Sequence, residues 1–325
     1  MILAGDIGGT KTLLGLFDPD GERPRPIHTF SYSTLAHTDL TEIVAAFLNE
    51  ERVSGAAVSG ACFGVAGPVI DEAAELTNVP WRVDARKVAS AFRLGRVSLL
   101  NDLEAMAYAV PVLTDSEVLV LQKGDADLSP RGGNIALIAA GTGLGEALLH
   151  DVGGRFVPSP SEGGHADFSA RTEREIGLLR HLTARYGRAD VEHVVSGRGL
   201  INIHRFVHTS PCAAGISLDD PNAGPAISSA ALERRCAACV ETLDLFVEAY
   251  GAEAGNLALR GVTTGGVFVG GGIAPKILPA MTSGAFMRAF RAKPPLEPML
   301  RAMPVKIILN AESGLLGAAV FCSRT

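Results

Sequence analysis

No run of about 20 apolar residues occurs in this chain, so no segment is long enough to cross a bilayer as a helix. The opening MILAGDIGG has no basic stretch followed by a long apolar one, so no signal peptide is expected. No basic patch or run stands out either. The formal charge is −6 over 325 residues, and a nucleic-acid binder is not expected. That mild acidity leaves ATP open as a ligand, because loops and metal ions neutralise phosphate locally. Cysteines are few, odd in number and scattered: Cys62, Cys212, Cys236, Cys239 and Cys322. Such a set suits a reducing cytoplasm rather than a disulfide framework. No low-complexity linker is present, so any domain boundary falls in ordinary loops. What remains is 47% apolar and 20% charged, enough for a large core and for two domains.

Residues 2–17, ILAGDIGGTKTLLGLF, read as two strands joined by a glycine turn, and PIHTFSY as a third. Together they predict an antiparallel meander. A helix is expected over 39–49. GAAVSGACFGVAG then reads as a buried strand rich in small residues, RVSLL as another strand, and LEAMAYAV as a helix. The plan starts again at 134–150, where NIALIAAGTGLGEALLH repeats strand, glycine turn, strand. Two such units about 130 residues apart imply a duplicated core. Residues 171–187 predict an amphipathic helix (Ile176, Leu179, Leu182, Tyr186) closed by Gly187. Residues 228–259 read as mostly helical, GGVFVGGGIAP as a strand entering a glycine loop, VKIILN as a late strand and SGLLGAAVFC as a last helix. Alternating strands and helices make the class α/β.

The first glycine turn carries Asp6, Gly8, Gly9, Thr10 and Lys11. Glycines let backbone N–H groups approach phosphate oxygens closely, and a carboxylate at the strand end suits a metal-bound water. A tight hairpin explains Gly-Gly equally well, and GxxxxGK[ST] is absent. GTGLG, with Gly141 and Thr142, carries the same ambiguity. Gly270, Gly271 and Gly272 put flexible backbone at the end of a buried strand, where α/β folds bind ligands, although close packing alone accounts for such a loop. In RVSLLNDLEAMAYAV an apolar strand ends in Asn101 and Asp102 and a helix begins at once. Asn101 makes a good N-cap with Glu104 three residues on, and Asp102 meets the positive end of the helix dipole. A functional carboxylate at the strand mouth is compatible with that cap, which needs only one of the two residues.

SEGGHADF adds Glu162 and His165, and DVEHVVSGRGL adds Glu192; each has a plainer reading as a loop or surface residue. Taken together, Asn, Asp, Glu and His are the side chains that satisfy a ring of sugar hydroxyls. A carboxylate among them can take the proton of an attacking hydroxyl during phosphoryl transfer. Cys236 and Cys239 form CxxC on an apolar helical stripe from Leu232 to Tyr250. They read as small core side chains, because a zinc site needs two more ligands and the sequence offers none nearby.

GDIGGTKT, LLNDLEAMA, AAGTGLG, EGGHADF, VEHVVSGRGLIN and GGVFVGGGIAP follow one another in the order and approximate spacing of bacterial ATP-dependent glucokinases. The chain resembles that family, within the hexokinase–actin-type ATPase superfamily, from about residue 4 to residue 320. The resemblance implies a two-domain, ribonuclease H-like or actin-like ATPase fold with a duplicated core and a central cleft. It implies a small domain of residues 1–105 plus 303–325 and a large domain of 106–302. It implies glucose and ATP–Mg²⁺ as ligands, a cytoplasmic homodimer, and neither nucleic acid nor membrane as partner. Asp102 matches the family's general base for the glucose 6-hydroxyl. Asn101, Glu162, His165 and Glu192 match sugar ligands, and Asn78 matches a position near the sugar pocket. Asp6, Gly8, Gly9 and Thr10, with Lys11 beside them, match the first phosphate motif. Gly141 and Thr142 match the second, and Gly270, Gly271 and Gly272 lie in the adenosine segment. No protein-held metal is implied: Mg²⁺ travels with ATP and meets Asp6 through water.

Two departures stand out. Lys11 is more like a related family of repressors and sugar kinases, since many glucokinases have Asn there. That related family also carries a zinc box of cysteines soon after its GH dipeptide. No cysteine lies between Cys62 and Cys212, so that zinc site is expected to be absent. No DNA-binding helix pair precedes the first motif, which argues against a repressor. A kinase for mannose or fructose and a non-catalytic sugar sensor remain the alternative readings. ADP or polyphosphate remains an alternative phosphoryl donor.

Overall fold

The computed structural model of the chain describes residues 1–76, 79–125, 132–208 and 211–325. Its first elements are β1 (Ile2–Ile7), β2 (Lys11–Asp18), β3 (Arg25–Ser33), α1 (Leu40–Glu50) and β4 (Gly60–Val65). There follow β5 (Val69–Ile70), β6 (Ala73–Glu75), β7 (Arg82–Asp84), α2 (Ala85–Phe92), β8 (Val97–Asn101) and α3 (Asp102–Ala109). The middle of the chain holds β9 (Val118–Gln122), β10 (Ile135–Ala140), β11 (Leu144–Val152), β12 (Arg155–Ser161), α4 (Glu173–Tyr186), α5 (Gly197–Val207), α6 (Ala223–Leu232) and α7 (Ala237–Gly261). β13 (Gly266–Gly270), α8 (Leu278–Met281), α9 (Ala285–Arg291), α10 (Glu297–Ala302), β14 (Val305–Ile308) and α11 (Ser313–Arg324) complete it. These elements form two compact units, Met1–Thr114 with Asn310–Thr325, and Asp115–Leu309.

The first unit is built on a sheet of order β3-β2-β1-β4-β8. β1 runs antiparallel to β2 and parallel to β4, and β4 runs parallel to β8. Strand periodicity sends alternate side chains to opposite faces. Leu3 and Ile7 join Phe47, Phe63 and Val88 on one face, with α1 and α2. Ile2 and Ala4 join Cys62, Leu100, Ala105 and Leu315 on the other, with α3 and α11. The small residues of β4 have a packing reason on this second face. A Cβ on Gly64 would lie 2.8 Å from that of Ala105, so α3 sits directly on the strand. α3 and α11 touch backbone to backbone, since a Cβ on Gly317 would lie 1.6 Å from the Ala105 carbonyl oxygen.

The second unit repeats the strand order as β12-β11-β10-β13-β14 and adds β9 at the edge. β10 is antiparallel to β11 and parallel to β13, β13 is parallel to β14, and β9 pairs antiparallel with β14. The duplicated core expected from the two glycine turns is therefore present as topology. α7 spans 25 residues, and its buried face, Leu243, Phe246, Tyr250 and Leu257 among others, packs in the core of this unit. Burying such side chains contributes about 1.5–3 kcal/mol each.

The structure adds elements that periodicity did not announce: β9, β12, α5 and the small sheet β5-β6-β7. It also breaks the apolar stripe expected from Leu232 to Tyr250. α6 ends at Leu232, Arg234 takes φ 56°, and α7 starts only at Ala237 with Cys236 as its N-cap. The unit boundaries fall at 114/115 and 309/310, later than the expected 105/106 and 302/303. α3 stays whole in the first unit because it packs on α11. Residues 305–308 stay in the second because β14 pairs on both sides.

Candidate active site

The candidate residues divide between the two units. In the first, β8 carries Asn101 to the end of the sheet and α3 begins at Asp102. The capping reading holds: Asn101 Oδ1 accepts from Leu103 N–H at 3.0 Å, and Asn101 Nδ2 donates to the Gly67 carbonyl at 3.2 Å. Asn101 N–H also bonds the Glu104 carboxylate, which burial otherwise pushes toward its neutral form. With the cap made by Asn101, Asp102 is left exposed at the positive end of α3, its Oδ1 accepting from Leu103 N–H at 2.8 Å.

Asp6 stands at the carboxyl end of β1. Its carboxyl is pushed up from 3.8 to about 6, first by burial and next by the charge of Asp102, with Lys11 pulling the other way. Gly314, in the first turn of α11, makes room for it: a Cβ there would lie 2.8 Å from Asp6 Oδ2. The turn itself is held from outside the motif. Thr34 Oγ1 donates to the Gly8 carbonyl at 2.8 Å and lies 2.9 Å from Thr12 Oγ1, and Thr34 N–H donates to the Thr10 carbonyl at 3.0 Å. Thr10 and Lys11 remain exposed, and Gly8 and Gly9 are half-buried between them and β1.

In the second unit Glu162 precedes a single 3₁₀ turn, Gly163–His165, that ends in His165, and both side chains are exposed. Glu192 N–H donates to the Gly164 carbonyl at 2.9 Å, which brings Glu192 to the same loop. Glu192 Oε2 in turn accepts from Leu144 N–H at 2.9 Å, and Gly143 leaves space for that carboxylate: a Cβ would lie 2.4 Å from it. Gly197 N–H donates to the Gly141 carbonyl at 2.8 Å. Glu192 thus ties the sugar-type loop to the second glycine turn. Asp190, which the sequence reading passed over, sets Oδ2 3.5 Å from His165 Nδ1 while its Oδ1 accepts from His193 N–H at 2.8 Å.

The glycine loop after β13 meets the second turn. Ile273 N–H donates to the Ala140 carbonyl at 3.2 Å, and Gly271, at φ 83°, fits where a Cβ would lie 2.3 Å from that oxygen. Tyr250 of α7 braces both strand ends. Its hydroxyl accepts from Ala140 N–H at 3.1 Å and lies 3.3 Å from the Gly270 carbonyl. Gly163 covers a further group unseen in the sequence, the buried Glu146 of β11. Neither Glu146 oxygen accepts a hydrogen bond, the Arg260 guanidinium stands 3.6 Å off, and a Cβ on Gly163 would lie 2.2 Å from Oε2. Burial, then the charge of Glu253, raises Glu146 from 4.5 to about 7 against the pull of Arg260. Asn78 lies outside the described residues.

ATP and Mg²⁺ fit what is here. A Cβ on Gly141 or Gly272 would meet nothing within 4 Å, so open space lies over both glycines, as a phosphate or nucleoside cradle requires. The charge of Asp102 raises the cost of ionising Asp6, which a nearby divalent cation relieves. A surface hollow of about 470 Å³ lies elsewhere, on the small sheet beside Ile70, Asp71 and Arg86, and holds none of the candidate residues.

Two sheets of one strand order, each with a glycine turn between its first antiparallel pair, define an α/β protein of the actin-like ATPase fold. A ROK-family glucokinase from Streptomyces griseus, solved with glucose and AMPPNP, shares this fold at a TM-score of 0.65 and 22% identity, covering 100% of this chain and 99% of that one. The likeness is greater to a glucokinase from an Antarctic psychrotroph, at a TM-score of 0.86 and 27% identity over 100% of this chain and 99% of that one. In sequence, the Nostoc punctiforme glucokinase is 39% identical over 100% of this chain and 99% of its own length. The glucokinase family model matches residues 3–325. The chain belongs to the glucokinase family, a family of hexose kinases.

Proposed function

We propose that this chain transfers the γ-phosphoryl group of ATP to the 6-hydroxyl of glucose, giving glucose 6-phosphate and ADP. The observation that carries the reading is the Asp102 carboxylate, exposed in the first turn of α3 beside the N-cap Asn101. Asp102 acts as the general base for the 6-hydroxyl. In a loose transition state the hydroxyl proton leaves late, so a carboxylate suffices as the base. Asn101 offers the second N–H of its amide to the sugar. Glu162, His165 and Glu192 take other hydroxyls; Asp190 orients the His165 ring, and the Leu144 N–H fixes the Glu192 carboxylate. Asn78 is carried as a further sugar contact.

Asp6, Gly8, Gly9, Thr10 and Lys11 bind phosphate, as do Gly141 and Thr142, and Gly270, Gly271 and Gly272 bind the adenosine. When bound, Mg²⁺ neutralises charge on the transferring phosphoryl group. Two further parts of the reading rest on the family resemblance: a homodimer, checked by light scattering against the 33.8 kDa chain, and a cytoplasmic, glycolytic role. No helix among the described residues is long and apolar enough to cross a membrane.

The test is a coupled assay of ADP release with Mg²⁺–ATP across glucose, mannose, fructose and N-acetylglucosamine, with a no-sugar control. Turnover on glucose well above the others supports the reading. Preference for another hexose changes the substrate, and glucose binding without ADP release makes the chain a sensor.

A further inference from the structure

A second cluster of chemically active side chains lies in the second unit and shares no residue with the candidate active site. His204 sits in the last turn of α5 and His208 at its C-cap, four residues on, so both rings fall on one side of the helix end. Cys212 follows shortly after. Cys236 and Cys239 come from the first turn of α7. The ligand atoms of His204, His208, Cys212 and Cys239 all lie within 4.8 Å of one another.

The spacings are those of a tetrahedron around a small ion. Zinc bonds of about 2.3 Å to sulfur and 2.0–2.1 Å to nitrogen set ligand atoms roughly 3.4–3.8 Å apart. Within the set, Cys212 Sγ is 3.8 Å from Cys239 Sγ, inside that range, and the remaining ligand atoms lie within 4.8 Å; outside it, Cys236 Sγ stands 3.9 Å from Cys212 Sγ and 3.7 Å from His208 Nε2. The His204 and His208 ring centroids are only 3.9 Å apart. A second observation points the same way. His204 is 3% exposed, yet neither of its ring nitrogens has a hydrogen-bond partner. A buried imidazole in that state is costly unless something takes its lone pair.

We propose that His204, His208, Cys212 and Cys239 form a tetrahedral site for a zinc-class divalent cation, with Cys236 as a neighbouring thiol. Two sulfurs and two nitrogens are the donor set of a structural Zn²⁺ site and a poor one for Mg²⁺ or Ca²⁺. Half-buried His208 and Cys212 leave the cluster a route to solvent, while Cys239 and His204 close its inner side. The ion would clamp the end of α5 to the start of α7. Helix α5 begins at Gly197, which bonds the Gly141 carbonyl, so the clamp secures the helix behind the second glycine turn. The sequence reading missed this site because CxxC and the two histidines are separated by another helix, α6.

The test uses the full chain, purified under reductant, with zinc determined by atomic emission. One zinc per chain is expected. Cobalt exchange should give the intense visible bands of a tetrahedral site and a thiolate charge-transfer band in the near ultraviolet. Cys212→Ser and Cys239→Ser should each weaken zinc binding by about 100-fold or more, and Cys236→Ser by less than about tenfold, the scale of a neighbour rather than a ligand. Should a variant fail to fold, the wild-type Tm serves instead: a chelator lowers it, and zinc but not magnesium restores it. Sub-stoichiometric zinc with no cobalt–thiolate band overturns the proposal. So does a Cys212 disulfide found by mass, or binding that survives Cys239→Ser. None of these readouts depends on turnover, so an inactive chain carrying one zinc still supports the site.

Discussion

The two units share a strand order but place their charges differently. β1 and β2 close on the turn with the pair Ile7–Thr12, and β10 and β11 with Ala140–Leu144. One pair further back, the first unit has Asp6 opposite Leu13, where the second has Ala139 opposite Gly145. One pair further again, Gly5 faces Leu14 in the first unit, and Ile138 faces Glu146 in the second. Each unit therefore buries one carboxylate near its turn, on opposite strands of the pair. Asp6 adjoins the candidate base Asp102. Glu146 is sealed behind Gly163 and faces Arg260. The duplicated backbone keeps its strand pairing while its buried carboxylate comes to different ends: beside Asp102 in one unit, behind Gly163 in the other.

The largest expected effect separates these ends directly. Asp102→Asn should lower kcat by about 100-fold or more, the usual size of a general-base contribution, with KM for glucose within about tenfold. Steady-state kinetics check it, and unchanged turnover removes Asp102 as the base. The second unit's carboxylate should respond in stability. Raised from 4.5 to about 7, Glu146 makes the folded chain hold more protons than the unfolded one across that window, so stability falls as pH rises through it. Glu146→Gln should thus stabilise the chain, with a gain that grows by on the order of 2 kcal/mol between about pH 5 and pH 8. Denaturant melts at the two pH values measure this, and a pH-independent difference places the Glu146 cost elsewhere. Smaller still, Tyr250→Phe leaves the Ala140 N–H without its partner and should cost about 1–2 kcal/mol. A loss below the noise of urea melts would mean water replaces the hydroxyl.

The backbone plan was legible because its signals are local. Glycine turns, apolar runs and alternation fix β1–β2 and β10–β11 without help from the rest of the chain. Asn101 and Asp102 were legible for the same reason, as a cap and a first-turn carboxylate read from adjacent residues. The supports were not. Thr34 holds a turn from 26 residues away, Tyr250 reaches Ala140 across 110, and Glu146 meets Gly163 only through the pairing of β11 with β12. Asp190 looks like any loop aspartate until the chain folds back and sets it beside His165. CxxC read as core packing, and Cys236 and Cys239 do lie in the core of the second unit; what the sequence did not show is their histidine neighbours, which lie on another helix. Each of these depends on a side chain meeting a distant partner, and periodicity carries no record of such meetings.

The smallest expected effect tests whether the carboxylates of the first unit act as a pair. Asp102 is the second-largest cause of the raised Asp6 carboxyl, after burial. Removing its charge in Asp102→Asn should therefore bring Asp6 down from about 6 toward its usual 3.8, yet not all the way, because burial persists. Glu146 supplies an internal control: its causes are burial, Glu253 and Arg260, all in the second unit, so it should stay at about 7 in the same variant. Carboxyl carbon titration by NMR, with the two signals assigned by Asp6→Asn and Glu146→Gln, follows both at once. Movement of Asp6 alone means that the first unit couples its two acids. No movement of either means that burial alone holds Asp6 up, and the two units then differ in where they put a carboxylate but not in how they tune it.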